Sequence, residues 1–322
     1  MIARRLSMEN IEKLRVVFMG TPVFATAPLQ QLIDSGYHIV AVVSQPDRPV
    51  GRKKELKPTP VKAVALQHGI NVIQPNKLSE QPEVLLNYQP DLIVTCAYGQ
   101  KVPTSILDYP KYGCVNLHGS LLPKYRGGAP MQRAIINGDK QTGMTLMEMI
   151  DRMDAGKMYQ SKVVDITIDD TLDSLSVKMM EASKYLIKEA LPLYLDGKLP
   201  GIEQDEALSC LSLTIKKEEE RVSFKEEKCW NLYNHMRGLI SNPAAYALLS
   251  NGKKVKFYNI GYEECNHNIA YGCIILEKGH YKVAANGGYI HVYECQMEGK
   301  AKMNAASFIN GIKQQLPNLS FE

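Results

Sequence analysis

The segment Cys114-Val115-Asn116-Leu117-His118-Gly119 sets an amide and an imidazole two residues apart. Val115 and Leu117 alternate with them, which is the period of a strand. Residues two apart on a strand face the same side, so Asn116 and His118 stand together. Gly119 and Pro123 follow and end the strand, leaving the pair at its mouth. In open α/β sheets ligands bind there. A neutral donor beside a group that titrates near neutrality suits chemistry in which an oxyanion forms and a proton moves. Met153-Asp154-Ala155-Gly156 adds a carboxylate at a turn, able to hold one tautomer of His118 or to position a water. Taken alone, an Asn and a His on a strand more often cap loops or satisfy buried backbone than do catalysis.

The context narrows this choice. Asn-Leu-His-Gly-Ser-Leu-Leu-Pro at 116–123, followed by Met-Asp-Ala-Gly at 153–156, resembles the folate-dependent formyltransferases. Gly20-Thr21-Pro22-Val23-Phe24-Ala25 and Arg126-Gly127-Gly128-Ala129-Pro130 continue the resemblance, with Gly128 where Ala is usual. It implies that Asn116, His118 and Asp154 are catalytic and that Ser120, Leu121, Leu122 and Pro123 form a folate-binding loop. It also implies a formyl group moving from 10-formyltetrahydrofolate to an amine. In such a transfer the carbonyl oxygen becomes negative, and the folate nitrogen leaves poorly unless protonated. An oxyanion donor, a proton shuttle and a group that orients the shuttle are therefore needed. The residue types fit these roles but leave their division open.

The elements that must position these residues alternate. Apolar, strand-like runs occupy residues 14–20, 38–43, 71–73, 91–97 and 114–118, with helical spacing up to Ser35 and over 61–67. Such alternation points to a mostly parallel, Rossmann-like α/β sheet. The first turn carries Pro22 where a dinucleotide fold needs a second Gly, so a nicotinamide cofactor is not expected. Helical spacing covers 171–195 and polar, turn-rich residues follow. The expected domains are an N-terminal extension at 1–14, a catalytic domain at 15–197, a linker at 198–214 and a C-terminal domain at 215–322. The last shows helical spacing over 229–240, then short β-like runs at 246–249, 254–258, 272–276, 282–285 and 289–294. Asn-Gly and Gly-Gly turns between these runs suggest a small antiparallel, OB-like barrel.

Composition bounds the rest. The 322 residues are 45% hydrophobic and 22% charged, as in a globular protein of two domains. No apolar run reaches a membrane span and the start lacks a secretory pattern, so a cytoplasmic protein is expected, a monomer by default. Seven scattered Cys with no Cys-x-x-Cys pair support neither a disulfide framework nor a zinc site, and no metal is expected. A net charge of +4 permits a polyanionic partner if the charge is clustered.

It is clustered in Gln45-Pro46-Asp47-Arg48-Pro49-Val50-Gly51-Arg52-Lys53-Lys54-Glu55-Leu56-Lys57-Pro58, a long basic connection between a strand and a helix. Composition alone reads it as a solvated loop or as an arm that tracks RNA phosphates. Its pattern resembles the branch of the formyltransferases that acts on methionyl-tRNA, as do 235–239 and 303–308. The resemblance implies that Arg52, Lys53, Lys54 and Lys57 bind tRNA and that the acceptor is methionyl initiator tRNA. A formyltransferase for a small amine, such as a nucleotide-linked amino sugar, and a non-catalytic folate- or RNA-binding protein are the alternatives.

Overall fold

The computed structural model describes residues 12–50 and 55–322. The chain forms two compact units. The first takes the described residues of Met1–Gly127, with Thr142–Asp165 and Ser176–Ser212. Its strands are β1 (Val16–Gly20), β2 (Ile39–Val43), β3 (Arg48–Val50), β4 (Glu55–Lys57), β5 (Val72–Ile73), β6 (Leu92–Cys96), β7 (Cys114–His118), β8 (Gln141–Glu148) and β9 (Met158–Asp165). Seven form one sheet in the order β5-β2-β1-β6-β7-β8-β9. The first five positions in that order are parallel, whereas β8 runs antiparallel to β7. Both β1 and β6 are buried throughout, which is why they read as unbroken apolar runs. Parallel neighbours need crossovers, and the helices Thr26–Asp34 and Pro60–Gln67 supply two of them. The second starts firmly: Thr59 accepts a hydrogen bond from Lys62 N, and Pro60 occupies the first turn.

Two features go beyond the sequence reading. Strands β8 and β9 carry no clean alternation. β8 is buried at six successive positions, and β9 is mostly exposed or half-buried, so neither shows a period of two. The basic stretch, read as a loop, contains a hairpin. β3 and β4 pair antiparallel, with Arg48 opposite Lys57 and Pro49 opposite Leu56. The ladder stands apart from the main sheet, where a proline is tolerated. Residues 198–212 run along this unit through single bridges, Met158 with Ile202 and Arg126 with Leu211.

The second unit takes Gly128–Gln141, Ile166–Leu175 and Leu213–Glu322. Its strands β10 (Tyr246–Leu248), β11 (Lys254–Glu264), β12 (Ile274–Glu277), β13 (His280–Ala285) and β14 (Gly288–Met297) form an antiparallel sheet in the order β10-β11-β14-β13-β12. A short β15 (Met303–Asn304) pairs with β14. The chain end draws the sheet round. Phe321 bridges Leu249 after β10, and Ser320 bridges Cys273 before β12, so one segment ties both edges. Phe321 is fully buried against Phe224 and Phe257, which anchors that closure in the core. Strand β11 is longer than its pattern suggests, because a register shift at Asn259 interrupts the alternation.

The helices Pro130–Ile136 and Cys229–Leu239 pack together in this unit. Gly238 permits the approach: a Cβ there would lie 2.9 Å from the Ile136 side chain. Arg237 is buried and donates to the carbonyls of Thr167 and Asp170 at 2.8 and 2.6 Å. His235 Nε2 donates to Glu219 O at 2.7 Å. The His-Met-Arg-Gly-Leu run that helped to suggest the family is thus a packing and carbonyl-capping device. Among the described residues no helix is long and apolar enough to cross a membrane.

Candidate active site

The site lies at the carboxyl end of β7. Its neighbours are β6, in parallel register with Thr95 beside Asn116, and β8, with Thr145 opposite His118. This places Asn116 and His118 on one face, two residues apart along the strand. Asn116 is half-buried and His118 is buried, 4% exposed.

Thr95 Oγ1 donates to Asn116 Oδ1 at 2.8 Å. That bond uses the carbonyl end of the amide and sets its polarity. The Nδ2 end is then presented as a donor, and no hydrogen bond to it is formed among the described residues. Sequence reasoning missed Thr95, because nothing in a single strand shows what stands beside it in the next.

The tautomer of His118 follows from the same reasoning. Its Nε2 lies 2.8 Å from Tyr125 O. A carbonyl only accepts, so Nε2 carries the proton and donates it. Nδ1 is then the nitrogen free to exchange a proton, and it faces Asp154 Oδ2 at 3.6 Å. That distance is too long for a hydrogen bond and leaves the carboxylate within ion-pair range of this nitrogen. Tyr125 O is itself placed by a second donor, Ser212 Oγ at 2.9 Å.

Asp154 sits on the loop between β8 and β9 with φ of +50°, a left-handed conformation that costs a non-glycine residue about 1–2 kcal/mol. Two contacts hold it there. Gly127 N donates to its Oδ2 at 2.9 Å, and Gln204 Nε2 donates to its backbone carbonyl at 2.8 Å. Gly156 closes the turn: a Cβ there would fall 2.2 Å from Glu148 O. Only glycine fits, which explains the Asp-x-Gly spacing.

The loop 120–123 divides into two kinds of residue. Ser120 is fully buried; its hydroxyl donates to Lys124 O at 2.6 Å and its carbonyl accepts from Thr145 Oγ1 at 2.7 Å. Leu122 is buried and its N–H donates to Thr145 Oγ1 at 3.4 Å. Leu121 and Pro123 are half-buried and remain available for contact. The side chain of Ser120 therefore shapes the loop, and apolar contact falls to its neighbours.

Arg126 is buried and bound on three sides. It donates to Gln204 Oε1 at 2.9 Å and to both oxygens of Glu206 at 3.1 and 3.0 Å. Hydrogen bonds from Arg126, then from Arg152, hold the Glu206 carboxyl down at about 2. A cavity of about 170 Å³ opens at the other end of β7, between Leu107, Cys114, Met149 and Tyr194, away from the Asn–His pair. Burial pushes the Cys96 and Cys114 thiols up to about 12, so neither is a nucleophile near neutral pH.

Of the basic residues singled out for RNA, Lys57 lies exposed on β4. Arg52, Lys53 and Lys54 lie outside the described residues. The hairpin root is well defined. Lys62 Nζ donates to Asp47 Oδ2 at 2.6 Å and to Gln74 Oε1 at 2.6 Å, and Gln74 Nε2 donates to Asp47 Oδ1 at 2.6 Å. Burial would raise the Asp47 carboxyl, but hydrogen bonds from Lys62, Gln74 and Thr59 N outweigh it and hold it below its ordinary value.

Residues 13–191 match the formyl transferase family, and residues 214–313 match the formyl transferase C-terminal domain. The chain is 43% identical over 307 residues to the methionyl-tRNA formyltransferase of Bacillus cytotoxicus, covering 94% of this chain and 97% of that one. It is equally similar to the methionyl-tRNA formyltransferase of Halalkalibacterium halodurans, at 43% over 94% and 96%. Among solved structures, HypX from Aquifex aeolicus in complex with tetrahydrofolic acid superposes with a TM-score of 0.67. It is 17% identical, and the match covers 94% of this chain and 48% of that one, a likeness of fold.

Proposed function

The chain belongs to the methionyl-tRNA formyltransferases, and from that premise we propose how its residues divide the reaction. It is a folate-dependent formyltransferase acting on methionyl-tRNA. The donor is 10-formyltetrahydrofolate and the acceptor is the methionyl amino group on initiator tRNA. The products are N-formylmethionyl-tRNA and tetrahydrofolate.

The reaction needs no covalent enzyme intermediate. The amino nitrogen attacks the formyl carbon, and the formyl oxygen takes the negative charge. Asn116 Nδ2 donates to that oxygen, because Thr95 already holds the other end of the amide. His118 Nδ1 collects the proton shed by the attacking nitrogen and passes it to the folate nitrogen, whose bond to the formyl carbon then breaks. Asp154 stabilises the imidazolium between these two events. Pre-set donors need no reorganisation when charge develops, which is their advantage over water.

Leu121 and Pro123 supply the apolar contact for the folate, with backbone groups of the same loop as polar partners. Ser120 and Leu122 hold that loop in shape. Arg52, Lys53, Lys54 and Lys57 bind tRNA phosphates.

The observation that carries this reading is the fixed polarity of two adjacent groups at one strand end: Asn116 with its amide donor presented, and His118 with Nδ1 turned towards a carboxylate. It is tested with purified protein, 10-formyltetrahydrofolate and methionyl initiator tRNA. Uncharged tRNA and free methionine serve as controls. Formylmethionyl-tRNA formed only with the charged tRNA is the expected result. Turnover of a free amine, with none on methionyl-tRNA, would overturn the acceptor assignment.

A further inference from the structure

The polar segment 198–212 carries no motif that suggests a part in chemistry, and yet it touches the site through one buried side chain. Gln204 is 8% exposed. Its Nε2 donates to the carbonyls of Asp154 and Gly156 at 2.8 and 2.7 Å, so one amide grips both sides of the Ala155 turn. Its Oε1 accepts from Arg126 Nε at 2.9 Å. Arg126 is in turn locked by the two oxygens of Glu206, and the residue after it, Gly127, donates to Asp154 Oδ2.

We propose that Gln204 is a positioning residue for the reaction, and that Arg126, Gln204 and Glu206 form a brace that sets the Asp154 carboxylate against His118. The inference rests on the assignment of Asp154 given above. Asp154 occupies a left-handed conformation that an aspartate does not favour unaided. Two donors on the flanking carbonyls hold the turn in that shape. Without them the backbone relaxes towards negative φ and the carboxylate swings with it. The separation at stake is the 3.6 Å between Asp154 Oδ2 and His118 Nδ1. A displacement of about 1 Å at such a site costs on the order of a hundredfold in rate. Arg126 links both supports. Its side chain orients the Gln204 amide, and its backbone leads directly into the Gly127 donor. The brace therefore acts on the carbonyl end and the carboxylate end of the same residue.

Gln204→Leu keeps the volume and removes both donors. In steady-state formylation by the full-length enzyme, kcat should fall about ten- to a hundredfold, while KM for folate and for tRNA stays within about twofold. The deciding readout is a cycle with Asp154→Asn. If Gln204 acts through Asp154, the double variant is no slower than Asp154→Asn alone. Multiplying losses in the double variant, or a native kcat in Gln204→Leu, would overturn the inference. Should Gln204→Leu fail to fold by circular dichroism, Gln204→Glu keeps the acceptor for Arg126 and lacks the donors, and the same loss is expected. The premise is read separately: a fully active Asp154→Asn overturns the role of Asp154 and the brace with it. An inactive Asp154→Asn beside an active Gln204→Leu overturns the brace alone.

Discussion

The mouth of β7 and the basic hairpin are two polar regions of one unit, built in opposite ways. At the mouth each side chain is fixed from outside its own strand or loop. Asn116 is oriented by Thr95, His118 by Tyr125 O, and Asp154 by Gly127 and Gln204. Among the described residues of the hairpin the side-chain fixing is confined to the root, where Lys62 and Gln74 hold Asp47. Beyond it the described residues Arg48 and Lys57 are exposed. The difference matches the roles proposed for the two regions. Stabilising charge that exists only in a transition state requires donors placed in advance, within tenths of an ångström. Holding a polyanion requires charge and reach, and long side chains in water supply both with little precision.

The sharpest way to break this contrast is at Asn116. Asn116→Ala removes the proposed oxyanion donor, and kcat should fall about a hundred- to a thousandfold in steady-state assays with the melting temperature unchanged. A loss confined to KM would put Asn116 among binding groups and erase the distinction. In the basic stretch the reverse pattern is expected. Arg52→Ala should raise KM for methionyl-tRNA about tenfold, leave kcat and folate binding untouched, and lower the slope of log affinity against log salt by about one. Equal losses towards folate and tRNA would refute the assignment of that residue to RNA.

Asp47→Asn tests the root. The variant weakens the hydrogen bond from Lys62 while the basic residues remain, so KM for tRNA should rise by about threefold and kcat should hold. An unchanged KM would mean that the hairpin needs no fixed base. The smallest effect concerns Glu206 and acid. Its carboxyl titrates at about 2 in the folded protein, against about 4.3 when unfolded. A depressed value means that its stabilisation is complete above about 4.3 and is lost as pH falls towards 2. Melting temperatures measured from pH 5 to 2.5 should therefore converge between the native protein and Glu206→Gln. Parallel curves would show that the Arg126–Glu206 pair contributes nothing to folding.

The parts of the site legible in the sequence are those that a strand or a tight turn encodes by itself. Asn116 and His118 share a face because they are two apart on β7. Asp154 precedes Gly156 because no larger residue fits beside Glu148 O. Ser120 falls in the loop that the resemblance gives to folate, and the structure adds what the sequence does not show, that its buried hydroxyl donates to Lys124 O. β8 and β9 were not legible, because a strand buried on both faces and an edge strand both lack the alternation that a half-buried strand shows. The β3–β4 hairpin was hidden by its prolines and charges, which mark turns in composition but are tolerated on a short two-stranded ladder.

By itself, the sequence determined the parallel sheet, the antiparallel second unit and the family, together with the residues that the family's motifs nominate for the reaction. These depend on local periodicity and on motifs that are short in the chain. Only the tertiary structure decided which end of the Asn116 amide is a donor, which nitrogen of His118 is free, and what holds Asp154 in place. Those outcomes depend on Thr95, Tyr125 and Gln204, which lie 21, 7 and 50 residues from the groups they orient. A hydrogen bond is directional and acts over about 3 Å of space, so it carries no mark in the chain until folding brings its two ends together.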